Sequence, residues 1–495
     1  MWDLIELITD PGTFTSWDVE PVDVAPNDAY AADLARARER SGVDEAVITG
    51  EALVRGRRVA IIASEFQFLA GSIGIATAER LVLAIERATA EGLPLLAGPA
   101  SGGTRMQEGT VAFVSMISIT AAIANHKRAR LPYLVYLRHP TTGGVMASWA
   151  SLGHLTIAEP GALLGFLGPR VYEALLGESF PSGVQTSENL YLCGLIDGVV
   201  EAKHLPDVVH RALGHLVDGV AERGTARIVP TPERWSGIAG DPWASIERSR
   251  REDRPGIHAL LRYGASDVLM LSGTGQGERD RGLVLALARF GGSSCIVIGH
   301  DSTAQRWHAP LGPAALREAQ RGMRVADELG LPLVTVIDTP GAALSKEAEE
   351  GGLAGEIARC LEELVMLRVP TVSVILGEGT GGGALALLPA DRIVAAEHGW
   401  LSPLPPEGAS AIIHRDTRHA AEMASKQGVT APKLLENGIL DGIVPEHPDA
   451  ADEPISFSRR VSATVDYLLT SLRAESDEVR LTSRLEKFRR IGQRG

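Results

Sequence analysis

Gly, Pro and acidic residues punctuate this chain twice in the same order. Pro94 and Pro332 each sit in a Gly-Leu-Pro-Leu run, Pro132 and Pro370 each open an apolar run, and Glu159 and Glu397 each follow an alanine; the members of every pair are 238 residues apart. A later pair, Gly194 to Val200 and Gly438 to Val444, is offset by 244. Three spacings that agree to the residue over 65 positions are not a compositional accident; they mark an internal duplication. A chain of 495 residues built this way folds as two copies of one domain, not as the three that ~150 residues per domain would suggest. The boundary falls in residues 221–255, where Pro230, Pro232, Pro242, Pro255 and the charges of residues 247–254 interrupt apolar periodicity. The expected division is a first domain over 1–222, a linker over 223–254, a second domain over 255–450 and a helical tail over 451–495, where Val461, Val465, Leu468 and Leu472 keep helical spacing.

Within each half, short runs such as Arg58 to Ala63, Cys295 to Ile298 and Leu333 to Ile337 read as strands. Between them lie amphipathic helices: one face carries Leu81, Val82, Ile85 and Ala88, another Ile357, Leu361, Leu364 and Val365. Strand, helix, strand at this spacing is an α/β unit. The 54 glycines and 28 prolines beside 45% hydrophobic residues and 5% aromatics exclude disorder and point to elements packed backbone-close. A net charge of −14 argues against a nucleic-acid or anionic-membrane partner. Residues 1–10 carry Asp3, Glu6 and Asp10 with no basic flank, so no secretory signal is expected. The longest clean apolar stretch, residues 109–125, is shorter than the ~20 residues of a membrane span and reads as a buried helix. Cys193, Cys295 and Cys360 are too few and too scattered for a disulfide framework or a four-thiolate zinc site, which suits a reducing, cytoplasmic location.

The duplicated feature richest in chemistry is a strand that runs into glycines and then a helix. It occurs as Tyr133 to Leu137 into Thr142-Gly143-Gly144, and as Thr371 to Leu376 into Thr380-Gly381-Gly382-Gly383. Free N–H groups at such a turn stabilise negative charge, and missing side chains let a carbonyl oxygen approach, so each half offers one oxyanion hole. A tight turn alone explains a single Gly-Gly; recurrence in both halves favours function. A second pair of loops, residues 100–108 and 338–342, follows the Gly-Leu-Pro strands at the edge where α/β ligands bind. Ser101 lacks a Gly-x-Ser-x-Gly elbow and reads as a turn or ligand contact, not a nucleophile. Residues 377–383 echo a dinucleotide loop, but the other half has no counterpart, and no phosphate-binding Gly-x-x-x-x-Gly-Lys motif occurs. His210 with His215, and His414 with His419, are five apart, which suits no helical metal pair, so no metal is expected. The basic cluster Lys127 to Arg130 reads either as a solvated helix end or, through Arg128 and Arg130, as an anchor for a phosphate-bearing substrate.

At these residues the sequence resembles the carboxyltransferase of bacterial acetyl-CoA carboxylase, its beta chain followed by its alpha chain in one polypeptide. Ser101 to Glu108, Pro140 to Val145, Ala158 to Pro160 and Gly165 to Arg170 are similar to beta-chain landmarks; Ile337 to Ala342, Gly377 to Ala386 and Ser402 to Ala409 are similar to alpha-chain landmarks. The resemblance covers residues 1–445 and implies two tandem crotonase-like (ββα superhelix) domains that move a carboxyl group from carboxybiotin to an acyl-CoA. It implies that Gly143 and Gly144 face the thioester oxygen and Gly382 and Gly383 the biotin ureido oxygen. The constant offset would instead choose Gly381 and Gly382. Ser101, Gly102, Gly103, Arg105, Arg128 and Arg130 are then acyl-CoA contacts, and Gly341, Gly381 and Ala384 biotin contacts.

In the implied scheme carboxybiotin loses its carboxyl group, the ureido anion takes the thioester α-proton, and the enolate attacks the released carbon dioxide. No side-chain base is needed. The departures are as informative. The zinc ribbon that usually opens the beta chain is missing, so no zinc is expected, and the alpha chain's Gly-His-Gln-Lys-Gly stands here as Gly299-His300-Asp301-Ser302-Thr303, without the lysine. No Met-Lys-Met biotin-attachment sequence occurs. No cofactor is expected to be tightly bound; a biotin carboxylase and a biotin carboxyl carrier protein are implied as separate partners, with assembly as a homo-oligomer, a dimer or larger. Acetyl-CoA, giving malonyl-CoA for fatty acid synthesis, is the expected acceptor. A malonate decarboxylase component using an acyl-carrier thioester, and a scaffold subunit without turnover, are the alternatives, the latter suggested by Asp301 to Thr303.

Overall fold

A computed structural model describes residues 1–22, 24, 27–218, 227–307 and 310–491. The expected boundary at 222 lies outside them. The chain divides into two compact units, the first Met1–Val217 with Gly275–Gly277, the second Asp218–Thr274 with Glu278–Gly495.

The first unit carries β1 (Thr15–Ser16), β2 (Val47–Val54), β3 (Arg57–Ser64), β4 (Leu95–Gly98), β5 (Tyr133–Leu137), β6 (Thr141–Thr142), β7 (Leu155–Ala158), β8 (Leu164–Gly165) and β9 (Gly198–Val199). Its seven-stranded sheet runs β1-β2-β3-β4-β5-β7-β9, antiparallel through the β2–β3 hairpin and parallel from β3 onward, with β6 paired to β8 apart from it. The second unit repeats the plan with β10 (Ala265–Leu271), β11 (Leu283–Phe290), β12 (Ser293–His300), β13 (Leu333–Thr339), β14 (Thr371–Thr380), β15 (Arg392–Ala396), β16 (Trp400–Ser402) and β17 (Gly442–Val444). Here too an antiparallel hairpin, β11–β12, leads into parallel pairs through β13, β14, β15 and β17. The registers coincide: Leu95 pairs with Tyr133 and Leu333 with Thr371, each residue 238 from its counterpart.

Parallel strands are buried on both faces, which is why β5 throughout, and β14 from Thr371 to Leu376, are apolar or hydroxylated. Seven helices matter below: α1 (Ile75–Ala90), α2 (Gly109–Arg128), α3 (Gly143–Met146), α4 (Ser302–Trp307), α5 (Leu353–Met366), α6 (Gly381–Ala386) and α7 (Pro454–Arg473). α1 buries Leu81, Ile85 and Ala88 against the first sheet, as its spacing predicts. α5 buries Leu353, Glu356, Cys360 and Leu364, a stripe rotated from the expected one, with Glu356 ion-paired to Arg317 and Arg359 at its edge. α7 sinks Phe457, Val461, Val465, Leu469 and Leu472 into the core of the second unit. The stretch read as a linker carries a helix, Pro242–Ser249, whose Ile246 is buried with Trp400, Ala424 and Val429.

The expectation of a buried helix over 109–125 is corrected. α2 packs Ala112, Met116, Ile119 and Ile123 into the core, but its other face leaves Val111, Phe113, Val114 and Ile117 exposed. By length and composition alone, Met106–Arg128 is a helix that could cross a membrane. The sequence looked uniformly apolar because only packing distinguishes the two faces.

Candidate functional site

In each unit the glycine turn sits at the carboxyl edge of the parallel strands, beside the loop from the preceding strand. In the first unit Ser101 bridges Thr141: its amide donates to the Pro140 carbonyl (2.7 Å) and its carbonyl accepts from Thr142 (2.9 Å). Its buried hydroxyl accepts from the Gly103 amide at 3.0 Å, which spends it on shaping the turn. Gly103 lies so near the turn that a Cβ there would come within 3.3 Å of the Gly144 nitrogen. Gly143, with φ +63, begins α3 in a conformation that L side chains rarely adopt. Its amide donates to the Phe166 carbonyl (3.0 Å), so within the pair Gly144 is the one left with a backbone donor free of a backbone acceptor among the described residues. Gly143 therefore shapes the turn instead of donating to a ligand.

The second unit reproduces this loop by loop. Thr339 pairs with Gly379 as Ser101 does with Thr141, and the Thr339 hydroxyl accepts from the Gly341 amide at 3.1 Å. Gly381, at φ +66, begins α6 as Gly143 begins α3. The geometric duplicates of Gly143 and Gly144 are thus Gly381 and Gly382, one residue before the expected pair; Gly382 and Gly383 follow the Gly-Gly-Ala pattern but not the backbone. Among the described residues neither Gly381 nor Gly382 donates its amide outside the helix. A Cβ at Gly383 would meet Leu311 at 2.8 Å and the Ala342 nitrogen at 3.6 Å, and one at Gly382 would meet Ile357 at 2.7 Å, so both are packed where only glycine fits. Ala384 is wholly buried.

The expected basic contacts are redistributed. Arg105, 1% exposed, is locked into a buried cluster with Glu45 (2.5 Å), Glu108 (3.3 Å), the Ser72 carbonyl (2.8 Å) and Thr77 (3.1 Å). Burial opposes its charge, yet Glu45 holds its pKa above the ordinary value. No donor is left for acyl-CoA, and this assignment is corrected: the Arg-x-x-Glu spacing at 105 and 108 is a structural ion pair. Arg128 is exposed, ~18 Å along α2 from Met116, which packs against the first turn. Arg130 lies just beyond it, also exposed, so the structure does not bring these two to the turn.

Around the second turn a polar network emerges that sequence reading missed. Burial pushes the Asp338 carboxyl up, against hydrogen bonding from Ser302 (2.6 Å). Its other oxygen accepts from the Glu378 amide at 3.1 Å, in space that Gly377 leaves open. The Glu378 carboxylate, 5% exposed, accepts from Arg250 at 2.7 Å and Arg306 at 2.5 Å, and Arg250 continues to Glu407 at 2.6 Å. Burial pushes His300 down to about 3, so its neutral Nδ1 accepts from the Asp338 amide at 3.4 Å. In the altered Gly-His motif, Asp301 pairs with His258 at 2.8 Å. Among the described residues no group of three or more His, Cys, Asp or Glu could hold a metal ion. Free amides at such turns can stabilise an oxyanion.

These duplicated turns on duplicated sheets define a carboxyltransferase fold, and residues 1–480 match the carboxyl transferase domain family, to which the chain belongs. It stands with the carboxyltransferase subunits of biotin-dependent acyl-CoA carboxylases. It is 59% identical over 486 residues to the probable biotin-dependent acyl-coenzyme A carboxylase beta3 subunit of Mycobacterium tuberculosis, covering 98% of this chain and 97% of that one. To the acetyl-coenzyme A carboxylase carboxyl transferase subunits beta/alpha of Salinispora arenicola it is 36% identical over 508 residues, 98% and 89% of the two chains. Among solved structures, transcarboxylase 12S with methylmalonyl-coenzyme A bound matches at a TM-score of 0.75 and 21% identity, over 94% of this chain and 88% of that one. The fold is accordingly two tandem crotonase-like domains.

Proposed function

We propose that this carboxyltransferase moves the carboxyl group from biotin on a carrier protein to the α-carbon of acetyl-CoA, giving malonyl-CoA. The observation that carries the reading is the pair of turns at Gly143–Gly144 and Gly381–Gly382, repeated with the same φ and the same supporting loop. Transfer passes through two oxygen anions, one on the acceptor thioester and one on the ureido group, and each turn serves one. An amide donor of this kind is worth about 3–4 kcal/mol of barrier. The relatives named as acetyl-CoA carboxylase subunits support acetyl-CoA. The 59%-identical relative, named only for acyl-CoA, makes longer acceptors the comparison to run.

The carboxyl donor is a separate biotinylated carrier loaded by a separate biotin carboxylase, no cofactor is held tightly, and the protein works in the cytoplasm as a homo-oligomer. Arg128 and Arg130, far from the first turn, suit only the phosphate end of an extended acyl-CoA. The test is direct: purified protein, carboxylated carrier and a series of acyl-CoAs, with products read by mass. Malonyl-CoA is expected from acetyl-CoA. A preference for longer acceptors would move the substrate, and absence of product from every acyl-CoA would refute the function.

A further inference from the structure

Glu378 and Thr380 point to one face of β14, two residues apart on the strand that delivers the second turn. The Thr380 hydroxyl is buried, precedes Gly381 without capping α6, and has no hydrogen-bond partner among the described residues. Such a group is costly to leave unsatisfied. Arg306 is the complementary case. Arg250 spends Nε, Nη1 and Nη2 on Glu378 and Glu407, whereas Arg306 has one hydrogen bond among the described residues, from Nη2 to Glu378, and its side chain stays 31% exposed. Most of its planar fork is open. The segment that bears it is fixed near the turn at both ends: Ser302 holds Asp338, and Leu311 bridges Ala342 and abuts Gly383.

We propose that Arg306 and the Thr380 hydroxyl are positioning groups that hold the carboxylate of the N-carboxylated ureido donor beside the Gly381–Gly382 amides, with Glu378 presenting the guanidinium. This rests on the function proposed above. A fork with open N–H groups suits a carboxylate, and charge-assisted bonds of this kind are the strong ones. Glu378 fixes the fork at one corner, so little freedom is lost when the donor arrives.

The test uses the full chain with free N-carboxybiotin as donor, reading KM for the donor and for acyl-CoA separately. Arg306→Met is expected to raise the donor KM about tenfold and leave that for acyl-CoA unchanged, with Arg306→Lys recovering part because a point charge replaces only some of the fork. Thr380→Val should raise the donor KM less, and Thr380→Ser should restore it. An Arg306→Met enzyme with the wild-type donor KM, or with equal losses for both substrates, overturns the inference alone. Wild-type protein that transfers nothing from this donor to any acyl-CoA overturns the proposed function and the inference with it.

Discussion

Removing the cation between Glu45 and Glu108 strands two carboxylates that are 2% and 1% exposed. Arg105→Met should therefore cost about 3–5 kcal/mol in denaturant unfolding, while the KM for acyl-CoA of the folded fraction stays at the wild-type value. A raised KM with unchanged stability would return Arg105 to the substrate. Gly381 makes the opposite prediction. At φ +66 an alanine adds about 1–2 kcal/mol of backbone strain, since its Cβ would have 3.5 Å to the nearest atom, and because that strain falls on the turn itself transfer should fall by about tenfold. Gly352→Ala is the control: φ +81, nothing near the added carbon, similar strain, unchanged transfer. Comparable activity in both variants would remove the second turn from the chemistry.

Elements show where local pattern suffices and where it fails. The strand, glycine and helix of each turn were legible because strand composition and glycine φ are local properties, and the Gly194 and Gly438 repeats proved equally concrete: Asp197 brackets Thr156 as Asp441 brackets Ile393, through main chain and carboxylate alike. The register of the second pair was not legible, because three successive glycines look alike until φ separates them. Nor was the network of Glu378, Arg250 and Arg306, whose members lie up to 128 residues apart. His300, retained in the motif that lost its lysine, offers a measurable consequence. Its folded pKa of about 3 lies below the ordinary 6.5, so the unfolded chain binds the proton first as pH falls. The stabilisation is intact above pH 6.5 and declines at about 1.4 kcal/mol per pH unit toward 3. Unfolding free energies of wild type and His300→Gln should converge as pH falls through this window; a constant difference would show that His300 does not titrate there.

For the molecule as a whole, the duplication was legible because a copied fold keeps its spacing, and the sheets repeat it in register. What sequence could not separate is core from interface, as both select the same residues. α2 makes the point: Ala112, Met116, Ile119 and Ile123 fill the core, while Val111, Phe113, Val114 and Ile117, equally apolar, are 62%, 62%, 49% and 68% exposed on the other face. Contiguous exposed apolar residues mark an interaction surface, and the proposed homo-oligomer would cover this one. Burying side chains of this size is worth about 1.5–3 kcal/mol each, enough that four of them in a symmetric contact dominate an association. The 52.5 kDa chain should sediment as a dimer or larger, and Phe113→Glu with Ile117→Glu should shift it to monomer with its circular dichroism unchanged, since neither side chain belongs to the core. A wild-type chain that sediments at 52.5 kDa, or a double variant that keeps the larger mass, would place the apolar face outside the assembly contact.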